Sequence, residues 1–244
     1  LLEKLYQPFD APLYVTSPST AEMVKYASNA LLATKISYAN EIGSLCKQYD
    51  VDTYQVMEAV GMDHRISPHF LRAGAGFGGS CFPKDVRALV AAGDSQDVPM
   101  QLLRSVLEVN EMQPRRMLTL LEKHVGNLDG KHVAVLGLAF KPNTDDIRES
   151  RSIPVIQALL DQNAHVTAYD PLAAENMRNL FPDVTYCDSP REALEEADGC
   201  LLMTDWPAFA ELDFTVMAQP IVIDGRRIIP EEKRSDIVYE GICW

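Results

Sequence analysis

The chain has 244 residues, of which 47% are hydrophobic and 23% charged, a balance typical of a globular protein with one large or two modest domains. Its formal net charge of −13 argues against nucleic acid as a partner, because phosphate binding needs clustered Lys and Arg. No apolar run approaches the length of a membrane span, and charges interrupt residues 1–10, where a signal peptide would be apolar.

The first fifty residues predict two helices separated by a short strand. LLEKLYQPF is typical of the end of a helix and APLYVTS of a strand, and because the pattern begins part-way through an element we expect that chain precedes Leu1. Ser19 and Glu22 form a predicted capping box. The helix after them runs to about Tyr49; thirty residues make it about 45 Å long, enough for a spine that joins two domains or pairs two subunits.

Three further helical patterns follow the spine. Asp52 is predicted to cap a short helix ending at Gly61, and Pro83 suits the first turn of a helix that reaches about Ala92. A long helical pattern covers residues 98–126, in which Pro114 should kink or break the helix.

The rhythm of the sequence changes after a turn at Gly130, which we take as a domain boundary. From HVAVLGLAF onward, apolar strand patterns alternate with short helical patterns. Such alternation predicts an α/β fold, a doubly wound parallel sheet with helices on both faces. The chain is therefore expected to be all-helical in its central region and α/β after it.

The five cysteines are odd in number, widely scattered and without the spacing of metal ligands, so we expect no metal site and a reduced, cytoplasmic compartment. Four lie in apolar stretches and are interpreted as small core residues: Cys46, Cys187, Cys200 and Cys243.

The fifth, Cys81, lies in GAGFGGSCFPKD, residues 74–85. Glycines allow close approach of the main chain to a ligand, and successive free N–H groups form a nest for an anion. The helix beginning near Pro83 directs its positive end at Cys81, and Lys84 adds to the field that stabilises a thiolate. Asp85, one turn further on, is placed to act as a base. The alternative is a flexible glycine turn with a structural cysteine.

Lys25 and Asn29, in KYASN, are spaced i, i+4 and share one face of the spine helix among core-like neighbours. An ammonium and an amide can both donate to a developing oxyanion, which suggests a polar pocket. The alternative is a solvated stripe on a long helix.

Four motifs in order, KYASNA, GFGGSCFPKD, GLAFKPNTDDIRES and VIDGRR, resemble those of the UDP-glucose/GDP-mannose dehydrogenase family from Ser19 to Trp244. The resemblance implies NAD-dependent oxidation of UDP-glucose to UDP-glucuronate. Cys81 would form a thiohemiacetal and then a thioester, Lys25 would stabilise the oxygen on C6, Asn29 would orient it, and Asp85 would help to activate or position water.

The resemblance also implies a set of ligand contacts. Phe70 and the loop 72–78 would wrap the nucleotide sugar, with backbone N–H groups near its pyrophosphate, and Arg65 would reach the phosphates of a neighbouring subunit. Arg148 would approach NAD. The remaining substrate contacts implied are Arg72, Gly74, Phe77, Gly78, Phe140, Lys141 and Arg226, with Arg227 the next candidate.

The sequence departs from the family pattern in lacking GxGxxG, the turn that holds NAD. HVAVLGLAF instead resembles the family's second, Rossmann-like, nucleotide-sugar-binding domain. We therefore expect a remnant of the NAD domain at residues 1–17, a helical dimerisation domain with the cysteine loop at 18–127, and a UDP-sugar-binding domain at 128–244. Alone, the chain should form a homodimer through the long helix but neither bind NAD nor turn over.

Two alternatives stay open. One is the same chemistry on GDP-mannose or an N-acetylated UDP-sugar. The other is a non-catalytic module for dimerisation and nucleotide-sugar binding.

Overall fold

The structure is a computed structural model that describes residues 2–244. Helix α1 spans Leu2–Tyr6 and leads into a 3₁₀ turn, Gln7–Phe9, as the sequence pattern predicted, although Leu1 lies outside the described residues. The predicted strand at residues 11–17 is wrong: this segment is irregular and exposed. A strand needs a neighbour to pair with, and every described strand lies after residue 131.

The predicted spine is present as helix α2, Pro18–Gln48, which has 31 residues. The expected capping box at Ser19 and Glu22 is wrong by two positions. Ser17 is the N-cap, and its hydroxyl accepts the N–H of Thr20 at 3.3 Å. Pro18 fixes this start because its φ suits the first helical position, where no N–H is needed.

Three further helices form the rest of the helical region. Helix α3 spans Thr53–Gly61 and is capped by Asp52, as predicted; α4 spans Phe82–Asp94 and α5 spans Gln101–Val125. The expected break at Pro114 is wrong, because α5 continues through it. The proline removes one hydrogen bond, and burial of apolar side chains on both sides offsets that loss: Val106, Met117, Leu118 and Leu121.

The C-terminal half is a parallel sheet of six strands in the order β3-β2-β1-β4-β5-β6. The strands are β1 His132–Leu136, β2 His165–Tyr169, β3 Thr185–Tyr186, β4 Gly199–Leu202, β5 Ile221–Asp224 and β6 Val238–Gly241. The helices between them are α6 Ser152–Asp161, α7 Ala174–Arg178 and α8 Pro190–Leu194.

Both faces of the sheet are covered. Val133 and Val135 of β1 belong to one apolar cluster, together with residues of α5 and α6, whereas Ala134 and Leu136 belong to a second cluster on the opposite face. The predicted fold class, a helical region followed by a doubly wound parallel sheet, is confirmed. In this strand order, ligands bind where neighbouring connections leave in opposite directions, between the carboxyl ends of β1 and β4.

The helical region and the sheet are joined by side chains that donate to the last residues of the chain. Lys47 of α2 donates to the carbonyl of Gly241 at 2.6 Å, and Arg116 of α5 donates to that of Ile242 at 3.1 Å. Lys47 also lies 2.9 Å from the carboxylate of Glu240. Across residues 2–244, no helix combines the length and apolarity needed to cross a membrane.

Candidate active site

Cys81 occupies the N-cap position of α4, and its thiol is exposed. Of the other cysteines, Cys187, Cys200 and Cys243 are buried and Cys46 is half-buried, so the predicted distinction between Cys81 and the other four is visible in the structure. Burial raises the pKa of both Cys187 and Cys243 to about 11. Cys81 is therefore the accessible thiol among the described cysteines.

Asp85 lies one turn after Cys81, and its N–H donates to the Cys81 carbonyl at 2.9 Å. Its carboxylate is fully buried. It accepts hydrogen bonds from Lys25, from Asn29 at 2.6 Å and from Lys84 at 2.6 Å. The four predicted catalytic residues are thus brought together where α2 crosses the start of α4.

The electrostatics of Asp85 change its expected role. Burial disfavours the charged form, but the hydrogen bonds from Lys25, Lys84 and Asn29 outweigh it and lower the pKa of Asp85 to about 2. A carboxylate with so low a pKa is a weak proton acceptor at neutral pH, so the expectation that Asp85 acts as a base is not supported. The contacts instead suit a positioning role toward Lys25 and Asn29.

The glycine loop after α3 is held by two buried asparagines that sequence reasoning missed. Asn40 of α2 accepts the N–H of Gly74 at 2.7 Å. Asn110 of α5 accepts the N–H of Phe77 at 2.8 Å and donates to the same residue's carbonyl at 3.0 Å. Their one sequence signal is a lone amide within a helical pattern, the same signal that drew attention to Asn29.

The rest of this loop is tied to the sheet domain. The N–H of Ala75 donates to the Gly225 carbonyl at 2.9 Å, and that of Gly79 donates to the Arg148 carbonyl at 2.9 Å. Together with residues 74 and 77, four of the loop's N–H groups are therefore satisfied inside the protein. These four N–H groups hold the loop's own conformation and are therefore not free to bind an anion.

A cavity of about 410 Å³ lies between this loop and the carboxyl ends of β1, β4 and β5. Seven of the predicted substrate residues line it: Phe70, Arg72, Phe77, Gly78, Phe140, Lys141 and Arg226. Ala73 and Gly76, which belong to the predicted loop 72–78, line it as well, and sequence reasoning missed five others: Ile36, Tyr54, His69, Phe82 and Asp205.

One wall of the cavity is aromatic. The ring of Phe82 lies 5.8 Å from that of Phe70 and 6.1 Å from that of Phe77, both edge to face. Phe70 has a φ of 66°, a conformation that costs energy for a bulky side chain and that concentrates at ligand sites. The wall is thus held in a strained arrangement at the mouth of the cavity.

The opposite wall carries charge. Arg226 donates to the carbonyls of Met203 at 2.7 Å and Gly76 at 3.1 Å, and burial lowers its pKa. Arg72 lies 3.9 Å from Asp205. With Lys141, the lining holds three cations and one carboxylate, a net charge of +2 that complements a diphosphate.

The other predicted residues lie outside the cavity. Arg65 pairs with Asp63 on an exposed loop, and Gly74 packs against Gly225. Arg227 pairs with Asp52. The four predicted catalytic residues, Lys25, Asn29, Cys81 and Asp85, are also absent from the lining, although Cys81 directly precedes the lining residue Phe82.

Arg148, predicted to approach NAD, lies outside the cavity as well and pairs with Asp146 at 2.7 Å. Its side chain is exposed, so the pair leaves it accessible from solvent.

The turn after β1 does not fit a dinucleotide. Gly137 has a φ of 93°, but the N–H groups of Leu138 and Ala139 donate to the buried carboxylate of Asp170 at 2.7 and 3.1 Å. In dinucleotide-binding domains this turn offers such donors to the pyrophosphate. Asp170 takes them here, so this turn provides no cradle for NAD. Nor do the described residues contain three His, Cys, Asp or Glu grouped to hold a metal.

Comparison with known proteins identifies the family. The family model for the central domain of UDP-glucose/GDP-mannose dehydrogenases matches residues 19–112, and the model for the UDP binding domain of the same family matches residues 134–231. The chain belongs to the UDP-glucose/GDP-mannose dehydrogenase family. Its resemblance in sequence motifs is thereby confirmed.

Several relatives are similar over almost the whole chain. UDP-glucose 6-dehydrogenase AglM of Haloferax volcanii is 52% identical over 244 residues, covering 99% of this chain and 55% of the relative. UDP-glucose 6-dehydrogenase TuaD of Bacillus subtilis is 42% identical, covering 99% of this chain and 54% of the relative. The chain therefore spans about half the length of the curated relatives it matches.

Solved structures give the same result. A UDP-glucose dehydrogenase from Pyrobaculum islandicum superimposes with a TM-score of 0.93 at 48% identity, over 100% of this chain and 55% of that one. A UDP-D-ManNAc dehydrogenase from Pyrococcus horikoshii superimposes with a TM-score of 0.83 at 30% identity, over 99% of this chain and 56% of that one. A GDP-mannose dehydrogenase from Pseudomonas aeruginosa superimposes with a TM-score of 0.64 at 31% identity, over 100% of this chain and 57% of that one.

Proposed function

We propose that this chain is the central and C-terminal part of an NAD-dependent UDP-glucose 6-dehydrogenase, which converts the C6 alcohol of UDP-glucose to the carboxylate of UDP-glucuronate. The observation that carries the proposal is the meeting of an exposed thiol with Lys25 and Asn29, both held by the buried Asp85, beside a cavity of net positive charge. The identity of 52% to a UDP-glucose 6-dehydrogenase supports it.

The chain's own residues account for the sulfur chemistry. Sγ of Cys81 attacks C6 of the aldehyde, forming a C–S bond and, after protonation of the oxygen, a thiohemiacetal. The ammonium of Lys25 and the amide of Asn29 stabilise the negative oxygen. Oxidation of this adduct gives a thioester, and water then breaks the C–S bond to release the carboxylate and restore the thiol. Asp85 contributes by fixing both oxyanion donors.

Each of the two oxidations removes one hydride, and one NAD molecule per oxidation would supply the acceptor. The turn after β1 offers no cradle for it, since Asp170 occupies the donors there. The one contact proposed from this chain is Arg148. The residues of this chain therefore account for substrate binding, attack by the thiol and stabilisation of the oxyanion, and not for hydride transfer.

The cavity is proposed to hold the nucleotide diphosphate. Arg72, Lys141 and Arg226 supply charge for the two phosphates, and the ring of Phe70 supplies a surface for stacking. GDP-mannose or an N-acetylated UDP-sugar is the second candidate, because solved structures with those titles superimpose over nearly the whole chain. Calorimetric titration of the chain with UDP-glucose and with GDP-mannose separates the candidates by affinity.

We also propose that α2 pairs two copies of the chain. Four exposed apolar side chains recur on α2 at seven-residue intervals and so lie on one face: Val24, Leu31, Tyr38 and Leu45. In such a dimer Arg65 is the residue proposed to reach the partner's phosphates. If the isolated chain dimerises and binds the nucleotide sugar without turnover, it acts as the non-catalytic module considered above. A cytoplasmic location accords with five unpaired thiols.

Selective alkylation tests the proposal. With iodoacetamide and peptide mass mapping, Cys81 should react much faster than Cys46, Cys187, Cys200 and Cys243, and saturating UDP-glucose should protect it. UDP-glucuronate should also protect, whereas ATP, which shares the phosphates but not the sugar, should not. Equal rates at Cys81 and Cys46, or alkylation of Cys81 that is unaffected by UDP-glucose, would contradict the assignment.

A further inference from the structure

The ring of Tyr26 lies close to two ammonium groups where α2 crosses the start of α4. Nζ of Lys25 is 4.8 Å from the ring centroid, and Nζ of Lys84 is 5.7 Å from it. Both distances fall within the range in which a cation is attracted to an aromatic face. Tyr26 itself is half-buried, on the same turn of α2 as Lys25.

The same two ammonium groups share Asp85, whose Oδ2 accepts from Lys25 and whose Oδ1 accepts from Lys84. Two like charges that meet at one carboxylate repel each other, and long side chains that are more than half exposed have many rotamers. The ring of Tyr26 gives both cations a second attractive surface beside this carboxylate.

Lys84 is close enough to Cys81 to couple with it. The hydrogen bond to Asp85 is the main cause that raises the pKa of Lys84, and the charges of Tyr26 and Cys81 contribute further. The other charged group that acts on the thiol is Arg148 from the loop after β1, which is paired with Asp146, while Lys25 from α2 meets Lys84 at the carboxylate of Asp85.

We propose that Tyr26 is a positioning residue that holds the ammonium groups of Lys25 and Lys84 together beside Cys81, so that the thiolate and the oxyanion derived from it meet a fixed pair of cations. This inference rests on the proposed function of Cys81. The interaction is a cation–π attraction to the face of the ring. The phenol oxygen of Tyr26 takes no part in the described hydrogen bonds of Lys25, Lys84 or Asp85.

The test is the pH dependence of Cys81 alkylation, measured by peptide mass mapping on the full 244-residue chain. Tyr26→Phe keeps the ring and should leave the midpoint unchanged. Tyr26→Leu removes the ring, leaves both ammonium groups held by Asp85 alone and should raise the midpoint by about half a pH unit. Tyr49→Leu, an exposed tyrosine at the end of the same helix, is the matched control and should have no effect.

A second variant guards against loss of packing. Replacing Tyr26 with 3,4,5-trifluorophenylalanine keeps the shape of the ring but withdraws electron density from its face, so it should shift the midpoint in the same direction as Tyr26→Leu. Identical midpoints in the unaltered, Leu and trifluoro forms would overturn the role of Tyr26. If Cys81 in the unaltered chain reacts no faster than Cys46, the proposed function fails as well.

Discussion

Asn29 of α2 donates to the buried carboxylate of Asp85 on α4 at 2.6 Å, so two helices that are 56 residues apart in the chain at this point meet at one charged group. Lys25 reaches the same oxygen from one turn earlier on α2. The carboxylate thus fixes the positions of both donors of the candidate oxyanion site, Lys25 and Asn29.

Asp85→Asn should reduce stability in a pH-dependent way. The pKa of Asp85 falls from 3.8 to about 2 on folding, so its contribution is complete above 3.8 and is lost as the pH falls through about 2. We expect a loss of about 1–2 kcal/mol at neutral pH, less than the full linkage value because Lys25 and Lys84 are half exposed or more. Urea unfolding of both proteins should converge at low pH.

The control for this prediction is Asp94→Asn. Asp94 also pairs with a cation, Arg104, but both side chains are about half exposed. Such a surface pair contributes little, so the variant should match the unaltered chain at every pH. A difference between Asp85→Asn and the unaltered chain that stays constant down to the lowest pH would contradict the assigned ion pair.

Asn110→Ala should loosen the glycine loop. The side chain makes two hydrogen bonds to the main chain of Phe77, and its removal leaves a buried N–H and a buried carbonyl without partners. We expect a loss of about 1–3 kcal/mol in the free energy of unfolding and weaker binding of UDP-glucose in calorimetry. Asn179→Ala, at an exposed helix end, should change neither quantity. Unchanged affinity in a folded Asn110→Ala chain would show that the loop does not form the binding site.

Gly79→Ala and Gly126→Ala separate backbone strain from steric conflict. Both glycines have positive φ, 83° and 84°, so each substitution costs about 1–2 kcal/mol from the backbone alone. A Cβ at Gly79 would lie 2.7 Å from the ring of Phe140, whereas nothing lies within 4 Å of one at Gly126. Thermal unfolding should therefore show the larger loss for Gly79→Ala, and that variant alone should bind UDP-glucose less tightly. Equal losses and equal affinities would rule out the Phe140 contact.

Leu31→Glu should separate the proposed dimer. Leu31 is 63% exposed at the middle of the apolar stripe on α2, and a carboxylate there would face its symmetry mate or another apolar side chain across the interface. Sedimentation should show a dimer for the unaltered chain and a monomer for the variant. Leu172→Glu, at an exposed apolar position outside α2, should remain dimeric. A monomeric unaltered chain would refute this interface.

The chain alone should produce no NADH from UDP-glucose and NAD. The turn after β1 gives NAD no phosphate cradle, because Asp170 satisfies the N–H groups of Leu138 and Ala139. Calorimetry should accordingly detect UDP-glucose binding but not NAD binding. A sustained rise in NADH absorbance, or a measurable heat of NAD binding, would contradict this prediction.

Sequence patterns predicted most of the fold because its main elements are encoded locally. The apolar runs that became β1, β4 and β5 and the proline at the start of α4 all depend on neighbouring residues. The failures depend on distant partners. Residues 11–17 lack a strand to pair with, and Pro114 is tolerated because α5 packs on both α2 and the sheet.

The site divides in the same way. Cys81, Lys25, Asn29 and Asp85 stand out by residue type and motif, and the structure brings them together. Asn40 and Asn110 bind a loop more than thirty residues away, so a lone amide in a helical pattern does not reveal what they contact. Asp205 follows β4 without any motif, and its place in the cavity depends on the order of the strands.

Asp170 also limits how this sheet can be redesigned. Its two oxygens accept from five donors: the N–H groups of Leu138, Ala139, Leu172 and Ala173 and the indole of Trp206. A designer who wished to turn the domain into a carrier for a dinucleotide would have to delete this side chain, and would then leave all five groups stranded in the interior. One internal anion thus commits the scaffold to a single kind of occupant.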